Sequence, residues 1–230
     1  MNTPASASRI IHQQALPQGG SAGGREPDGG RRRVVRLAVA GSAAGMLAAC
    51  TREKEQAKPA FRLLDLSDAD YGRKLSLTNT ASGAKVSLDD FKGKVTLLFF
   101  GFTHCPDVCP TTLLKVADIR TALGEAAKDF LGVFVTLDPE RDQPELLNNY
   151  VSAFDSTFVA LRGDDVAATK KVAQEFRVFF QKVPNRDGSS YTLDHTTASY
   201  IFDRSGTLRL LARYNDTVED IVHDLKLLLA

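Results

Sequence analysis

Two cysteines four residues apart, Cys105 and Cys109, are the side chains of this sequence best placed to do chemistry. They lie in Gly101-Phe102-Thr103-His104-Cys105-Pro106-Asp107-Val108-Cys109-Pro110. Side chains at i and i+4 can come within one helical turn of each other, close enough to share a metal ion or, after local adjustment, to cross-link. Pro110 has no amide hydrogen and cannot bond back to residue 106 inside a regular helix, so the spacing predicts a separate tight turn over 105–109 and a helix starting near 110. Both sulfurs are then expected beside unpaired N–H groups at a helix start, where thiolate is favoured over thiol. Thiolate is the form that binds metals and attacks disulfides. A purely structural disulfide is the weaker reading, because so short a loop removes little entropy from the unfolded chain.

Two sulfurs do not identify a metal, and a third donor must come from elsewhere in the chain. His195, in Tyr191-Thr192-Leu193-Asp194-His195-Thr196-Thr197 ahead of an apolar run, is the best candidate. His104 adjoins Cys105 and is expected to point away from it; His12 lies in the leader, and His223 falls on a terminal helix. Two sulfurs and one nitrogen suit Cu(I), a soft ion, whereas zinc would ask for a fourth ligand or water. Asp138 has two readings. Pro139 can start a turn with Glu140, Arg141 and Asp142 as solvated charges, or Asp138 can face the cysteine loop and add negative charge that favours a cation there. It is not read as a ligand.

The elements that must position these groups follow from apolar periodicity. Val95 to Phe100 and Leu131 to Leu137 are nearly continuous apolar runs, expected for central strands buried on both faces. Helices are expected over 111–126, with Leu113, Leu114, Val116, Ile119 and Leu123 inward, over Pro144 to Phe154, and over Asp165 to Phe176. Phe158 to Leu161 is a further strand, and Lys74 to Leu77 with Lys85 to Leu88 flank a turn around Asn79, Ser82 and Gly83, an added hairpin. Ala198 to Phe202 and Thr207 to Ala212 bracket Asp203-Arg204-Ser205-Gly206 as a second hairpin. A last helix starts after Thr217, whose hydroxyl can cap the backbone at Glu219 or Asp220. The alternation predicts a layered α/β fold, with the cysteine loop leaving the carboxyl end of a central strand, where such folds build sites. Residues 181–188 are expected to form a mobile loop beside His195.

The chain has 230 residues, 43% hydrophobic and 25% charged, with three cysteines and a net charge of +1. That balance hides a division: residues 1–49 hold six Arg against Glu26 and Asp28, so the remainder is slightly acidic. A nucleic-acid-binding body is disfavoured, since phosphate recognition draws on a concentrated basic surface. Residues 1–30 are too poor in large apolar side chains to offset the entropy of ordering. Arg31-Arg32-Arg33-Val34-Val35-Arg36 and the apolar run from Leu37 to Ala49 then have the parts of a secretory signal, and the run is too short to span a bilayer. Leu47-Ala48-Ala49-Cys50 resembles a bacterial lipobox, which implies acylation of Cys50, and the arginine pair resembles a twin-arginine signal weakly. The expected partition is 1–49 as extension and signal, 50–59 as tether, and 60–230 as one compact domain.

The loop from Gly101 to Pro110, the segment Asp138-Pro139-Glu140-Arg141-Asp142-Gln143-Pro144, and Asp194-His195 before a strand together resemble the Sco/SenC family of copper-binding, thioredoxin-fold proteins that assist assembly of cytochrome c oxidase. The resemblance implies a thioredoxin-like α/β fold, a central mixed sheet flanked by helices, and one Cu(I) or Cu(II) ion held by Cys105, Cys109 and His195, with Asp194 as a nearby tuner. Asp138 is a candidate neighbour of the ion on the reading of its own segment, as a charge facing the cysteine loop. It further implies a monomer that serves the binuclear copper centre of oxidase subunit II by delivering copper, by reducing its cysteines, or both. An upstream copper donor, a thiol reductant and the lipid membrane through Cys50 complete the expected partners, at the periplasmic face of a bacterial inner membrane. Departures from the family pattern are small: Thr136-Leu137 ahead of Asp138, Phe180 for a tyrosine, and Thr196 for a serine. The rival reading is an extracytoplasmic thiol-disulfide oxidoreductase or thiol peroxidase using Cys105 or Cys109 as nucleophile. Common redox pairs are separated by two residues, and this pair by three.

Overall fold

A computed structural model describes residues 60–230. The signal-like leader, Cys50 and the tether therefore lie outside the described residues. In chain order the strands are β1 (Leu64–Asp65), β2 (Leu77–Asn79), β3 (Lys85–Val86), β4 (Val95–Gly101), β5 (Phe130–Thr136), β6 (Val159–Arg162), β7 (Phe180–Pro184), β8 (Tyr191–His195), β9 (Ser199–Phe202) and β10 (Leu208–Ala212). The α-helices are α1 (Val108–Leu123), α2 (Pro144–Ser152), α3 (Val166–Glu175) and α4 (Val218–Leu229). Among the described residues no helix is long and apolar enough to cross a membrane.

Eight strands form one mixed sheet in the order β1-β10-β9-β4-β5-β6-β2-β3. At its centre β4 runs parallel to β5 over their whole length, from Val95 opposite Phe130 to Gly101 opposite Thr136. β6 continues the parallel set on one side of this pair, and β9 pairs antiparallel with β4 on the other. Every residue of β4 is buried, as a strand covered on both faces requires. Phe99 and Phe100 point to opposite faces. Phe99 meets Phe134, which in turn meets Tyr150 of α2, while Phe100 meets Phe176 at the end of α3 and Tyr200 of β9. Burying each of these rings contributes about 1.5–3 kcal/mol. The expected added hairpin is present as β2 and β3, and β2 also joins the sheet by pairing with β6.

Local rules account for the element ends. Asp165 caps α3 by accepting from the Ala168 amide at 2.7 Å, and Thr217 caps α4 by accepting from the Asp220 amide at 3.1 Å. Pro144 opens α2, where its missing amide hydrogen has no intrahelical partner to lose. The inward face of α1 is narrower than its apolar content suggests. Leu113, Val116, Ile119 and Leu123 are buried, whereas Leu114 is 56% exposed; in α2 Leu147 is buried and Leu146 is 42% exposed. Consecutive residues diverge by about 100° around a helix axis of 3.6 residues per turn, so neither pair of adjacent leucines can point wholly inward.

Of residues 181–188, expected to form a mobile loop, 181–184 belong to strand β7 and 185–188 to the turn that joins it to β8 in an antiparallel ribbon. β7 and β8 pair from Phe180 opposite His195 to Pro184 opposite Tyr191, separately from the large sheet. Tyr191, Leu193 and His195 alternate with the more polar Thr192 and Asp194, the two-residue period of a strand, and Gly188 supplies φ +69° in the connecting turn.

Candidate metal centre

Gly101 ends β4, and its carbonyl accepts from the Leu137 amide at 2.7 Å, which joins the starts of the two loops that leave the central strands. Any β-carbon at 101 would lie 2.8 Å from Cys109 Sγ and 2.8 Å from the Phe134 ring. Glycine is thus what lets the first turn of α1 press down on the strand end. α1 begins at Val108, two residues before Pro110, so Cys109 sits within its first turn. Pro110 is tolerated there because the amides of a first turn have no partner within the helix.

The fold brings Cys105, Cys109 and His195 together: their ligand atoms all lie within 4.8 Å of one another. Neither cysteine is in a disulfide. Cys109 Sγ is 3.8 Å from His195 Nε2, and the Cys109 amide donates to Cys105 Sγ at 3.4 Å. His195 Nδ1 lies 2.8 Å from the Thr196 carbonyl oxygen, an acceptor only, so Nδ1 donates there and Nε2 is the ring nitrogen turned toward the sulfurs. Phe99 and Phe102 meet the imidazole edge-on, at centroid distances of 6.3 and 5.8 Å, and limit its rotation.

The two sulfurs do not share one electrostatic environment. The Cys109 thiol donates toward Cys105, and that bond, with His195 and the backbone at 107 and 109, holds Cys105 well below the ordinary thiol range. Cys109 is driven up by the same bond and by burial, with the negative charges of Cys105 and Asp142 adding to the effect. The expectation that both sulfurs would be favoured as thiolates is corrected: the shared hydrogen bond shifts them in opposite directions, favouring thiolate at the partly buried Cys105 and thiol at the buried Cys109.

Asp142, which the solvated-charge reading placed in water, is fully buried. Its carboxylate accepts from the Thr103 amide at 3.1 Å and from the hydroxyls of Thr103 and Thr136, both at 2.5 Å. It therefore fastens the first residues of the cysteine loop to the end of β5. Asp142 is the site residue the sequence reasoning missed; Thr103 on the cysteine loop and Thr136 at the end of β5 were the available signal, but pairing them needs the parallel register of β4 and β5.

Asp138 is also buried, at 2% exposure, with its oxygens taken by Arg141 Nε at 2.5 Å and the Tyr191 hydroxyl at 2.9 Å. Asp194 is exposed, on the opposite face of β8 from its neighbour His195. His104 is half exposed, 3.1 Å from the Thr103 hydroxyl and 3.7 Å from Asp142, and stands outside the cluster of three. On α4, His223 bonds Asp224 at 2.8 Å. His12 and Cys50 lie outside the described residues.

The site fits a soft metal ion by its donors, and comparison with known proteins points the same way. The SCO1/SenC family model matches residues 65–230. A solved structure of Bradyrhizobium japonicum ScoI with copper bound is 41% identical, with a TM-score of 0.61, covering 67% of this chain and 97% of that one. The structure of a SCO1/SenC family lipoprotein from Bacillus anthracis is 27% identical, with a TM-score of 0.58, over 68% of this chain and 94% of that one. A SCO2-like protein of Rickettsia prowazekii is 37% identical over 126 residues, 54% of this chain. The match spans 61% of that relative's length.

Proposed function

This chain belongs to the SCO1/SenC family, and from that premise we propose that it is a copper metallochaperone of the bacterial cell envelope, with copper as its cargo. The observation that carries the proposal is the convergence of two sulfurs and one imidazole nitrogen within 4.8 Å at the end of a central strand. Cys105, Cys109 and His195 are the ligands. Two soft thiolates suit Cu(I), and imidazole adds affinity for Cu(II), so one site serves both oxidation states. Binding draws the second proton off Cys109, because the metal ligand is the thiolate, and uptake of Cu(I) therefore weakens as pH falls. The ScoI relative solved with copper supports this reading.

The acceptor is the binuclear copper centre of oxidase subunit II, and the upstream partners are a copper donor and a thiol reductant. Residues 1–49 act as extension and signal, Cys50 is the acylated anchor, 51–59 the tether, and the body from 60 works as a monomer at the periplasmic face of the inner membrane. The lipoprotein from Bacillus anthracis supports the anchor. A second role rests on the unequal sulfurs: Cys105, partly exposed and with its pKa lowered by the Cys109 hydrogen bond, is placed to attack a client disulfide as the thiolate. The attack breaks the client S–S bond and leaves a mixed disulfide on Cys105. Cys109 then gives up its proton, attacks Cys105 Sγ and expels the second client sulfur. The client gains two electrons, one proton from Cys109 and the other from water, while Cys105 and Cys109 are oxidised to the disulfide.

Titrating the reduced protein with Cu(I) tests the main proposal. One ion is expected per chain, lost in Cys105→Ser or Cys109→Ser and weakened in His195→Ala. Peroxide or disulfide turnover without copper, and no stoichiometric copper uptake, would move the assignment to an enzyme.

A further inference from the structure

The ribbon that carries His195 makes no hydrogen-bonded pairing with the eight-stranded sheet. Its base is held where the Thr196 amide donates to the Phe179 carbonyl and the Phe179 amide donates to the Thr196 hydroxyl, at 3.0 and 3.1 Å. The ribbon is fastened to the rest of the fold by Leu193, buried in the core, and by the turn after β5. Arg141 Nη1 donates to the Tyr191 carbonyl at 2.8 Å, and its guanidinium lies 3.6 Å from the centroid of the Tyr191 ring. The same arginine pairs through Nε with Asp138, whose other oxygen accepts from the Tyr191 hydroxyl. Lys182 of β7 lies 4.5 Å from that ring's centroid and pairs with Glu140.

Tyr191 and His195 open and close β8 and, four residues apart, lie on the same side of the strand. We propose that Arg141 and Tyr191 form a clasp that positions His195 against the two sulfurs, so that the turn from Asp138 to Arg141 sets how firmly the third donor is held. The inference rests on the reading of His195 as a copper ligand. It gives Asp138 and Glu140 a use that is neither ligation nor free surface charge: Asp138 aims Arg141 at the ribbon, and Glu140 pairs with Lys182 on it. Lysine cannot replace arginine in this role, because the contact uses a planar group that stacks, donates to the carbonyl and pairs with the carboxylate at once. Groups that orient a ligand in this way typically change metal affinity by about 10–100-fold when removed.

Arg141→Lys and Tyr191→Leu test the clasp from its two sides in the full chain, with Tyr191→Phe as a milder variant that keeps the ring. In the reduced, metal-free protein, amide exchange over residues 192–195 is expected to speed at least tenfold in the first two variants, with that of β4 unchanged. Their Cu(II) affinity falls by about 10–100-fold and the sulfur-to-copper absorption shifts toward that of His195→Ala, while Tyr191→Phe restores most of both. The clasp is overturned if ribbon exchange is unchanged, if it speeds equally in β4, or if Cu(II) affinity and absorption stay at wild-type values despite faster exchange. Failure of the wild-type chain to bind copper would sink the proposed function but leave the exchange result to decide whether the clasp holds the ribbon.

Discussion

Gly101→Ala is the sharpest single test of how the site is packed. The added methyl would meet Cys109 Sγ and the Phe134 ring at 2.8 Å, and Phe99 at 3.1 Å. Ordinary contact begins near 3.4 Å, so Cys109 Sγ and the Phe134 ring must each give by about 0.6 Å. Both are fully buried, and Phe134 is wedged between Phe99 and Tyr150, at centroid distances of 6.0 and 5.7 Å. Relieving the contact with the sulfur displaces the first turn of α1 and moves Cys109 away from the strand end and from its present 3.8 Å to His195 Nε2, on top of the cost of disturbing the aromatic stack. Overpacking of a tight core costs about 1–3 kcal/mol. For a domain of this size that lowers Tm by roughly 2–12 °C. Urea denaturation of the reduced, metal-free variant measures the cost, and Cu(I) competition with a chromophoric chelator measures the displacement as weakened binding. Stability within about 0.5 kcal/mol of wild type, the range of a neutral surface change, together with unchanged copper affinity would refute this account of the glycine.

Three further outcomes follow from the electrostatics. Because Cys105 is held below the ordinary thiol range while Cys109 is pushed above it, iodoacetamide should label Cys105 at a nearly constant rate from pH 8 down to 5, where an ordinary thiol, pKa about 8.5, slows tenfold per unit. Mass spectrometry of the native reduced protein reads this, and equal labelling of both sites would contradict the asymmetry. Asp142→Asn leaves one acceptor oxygen for three donors now shared by two, and should lower stability by about 1–3 kcal/mol in urea with faster amide exchange at Thr103. Asp224 accepts from the amides of Arg62 and Leu63 at 2.8–3.1 Å while fully buried, so Asp224→Asn should cost a similar about 1–3 kcal/mol and release the start of the described chain, seen as faster exchange at Leu63. An unchanged urea midpoint in either variant would contradict its reasoning.

Much of the architecture was legible because its signals are local. The all-apolar runs of β4 and β5, the caps at Asp165 and Thr217, the proline opening α2 and the Asp203-to-Gly206 turn each need only a few neighbouring residues to be read. The donor set was legible too, because side-chain type restricts which metals can be held. Tertiary structure decided where these donors sit relative to one another and in which protonation state. That Cys105 and Cys109 differ depends on the hydrogen bond between them and on Cys109 being buried against Gly101 while Cys105 is only partly buried; that Asp142 is a buried anchor depends on β4 and β5 lying in register; and that residues 180–195 form a held ribbon depends on Tyr191 meeting Arg141, fifty residues away. The physical reason is range. Propensity, capping and ligand chemistry act within a turn or two of chain, whereas burial and charge pairing depend on groups that only folding makes neighbours.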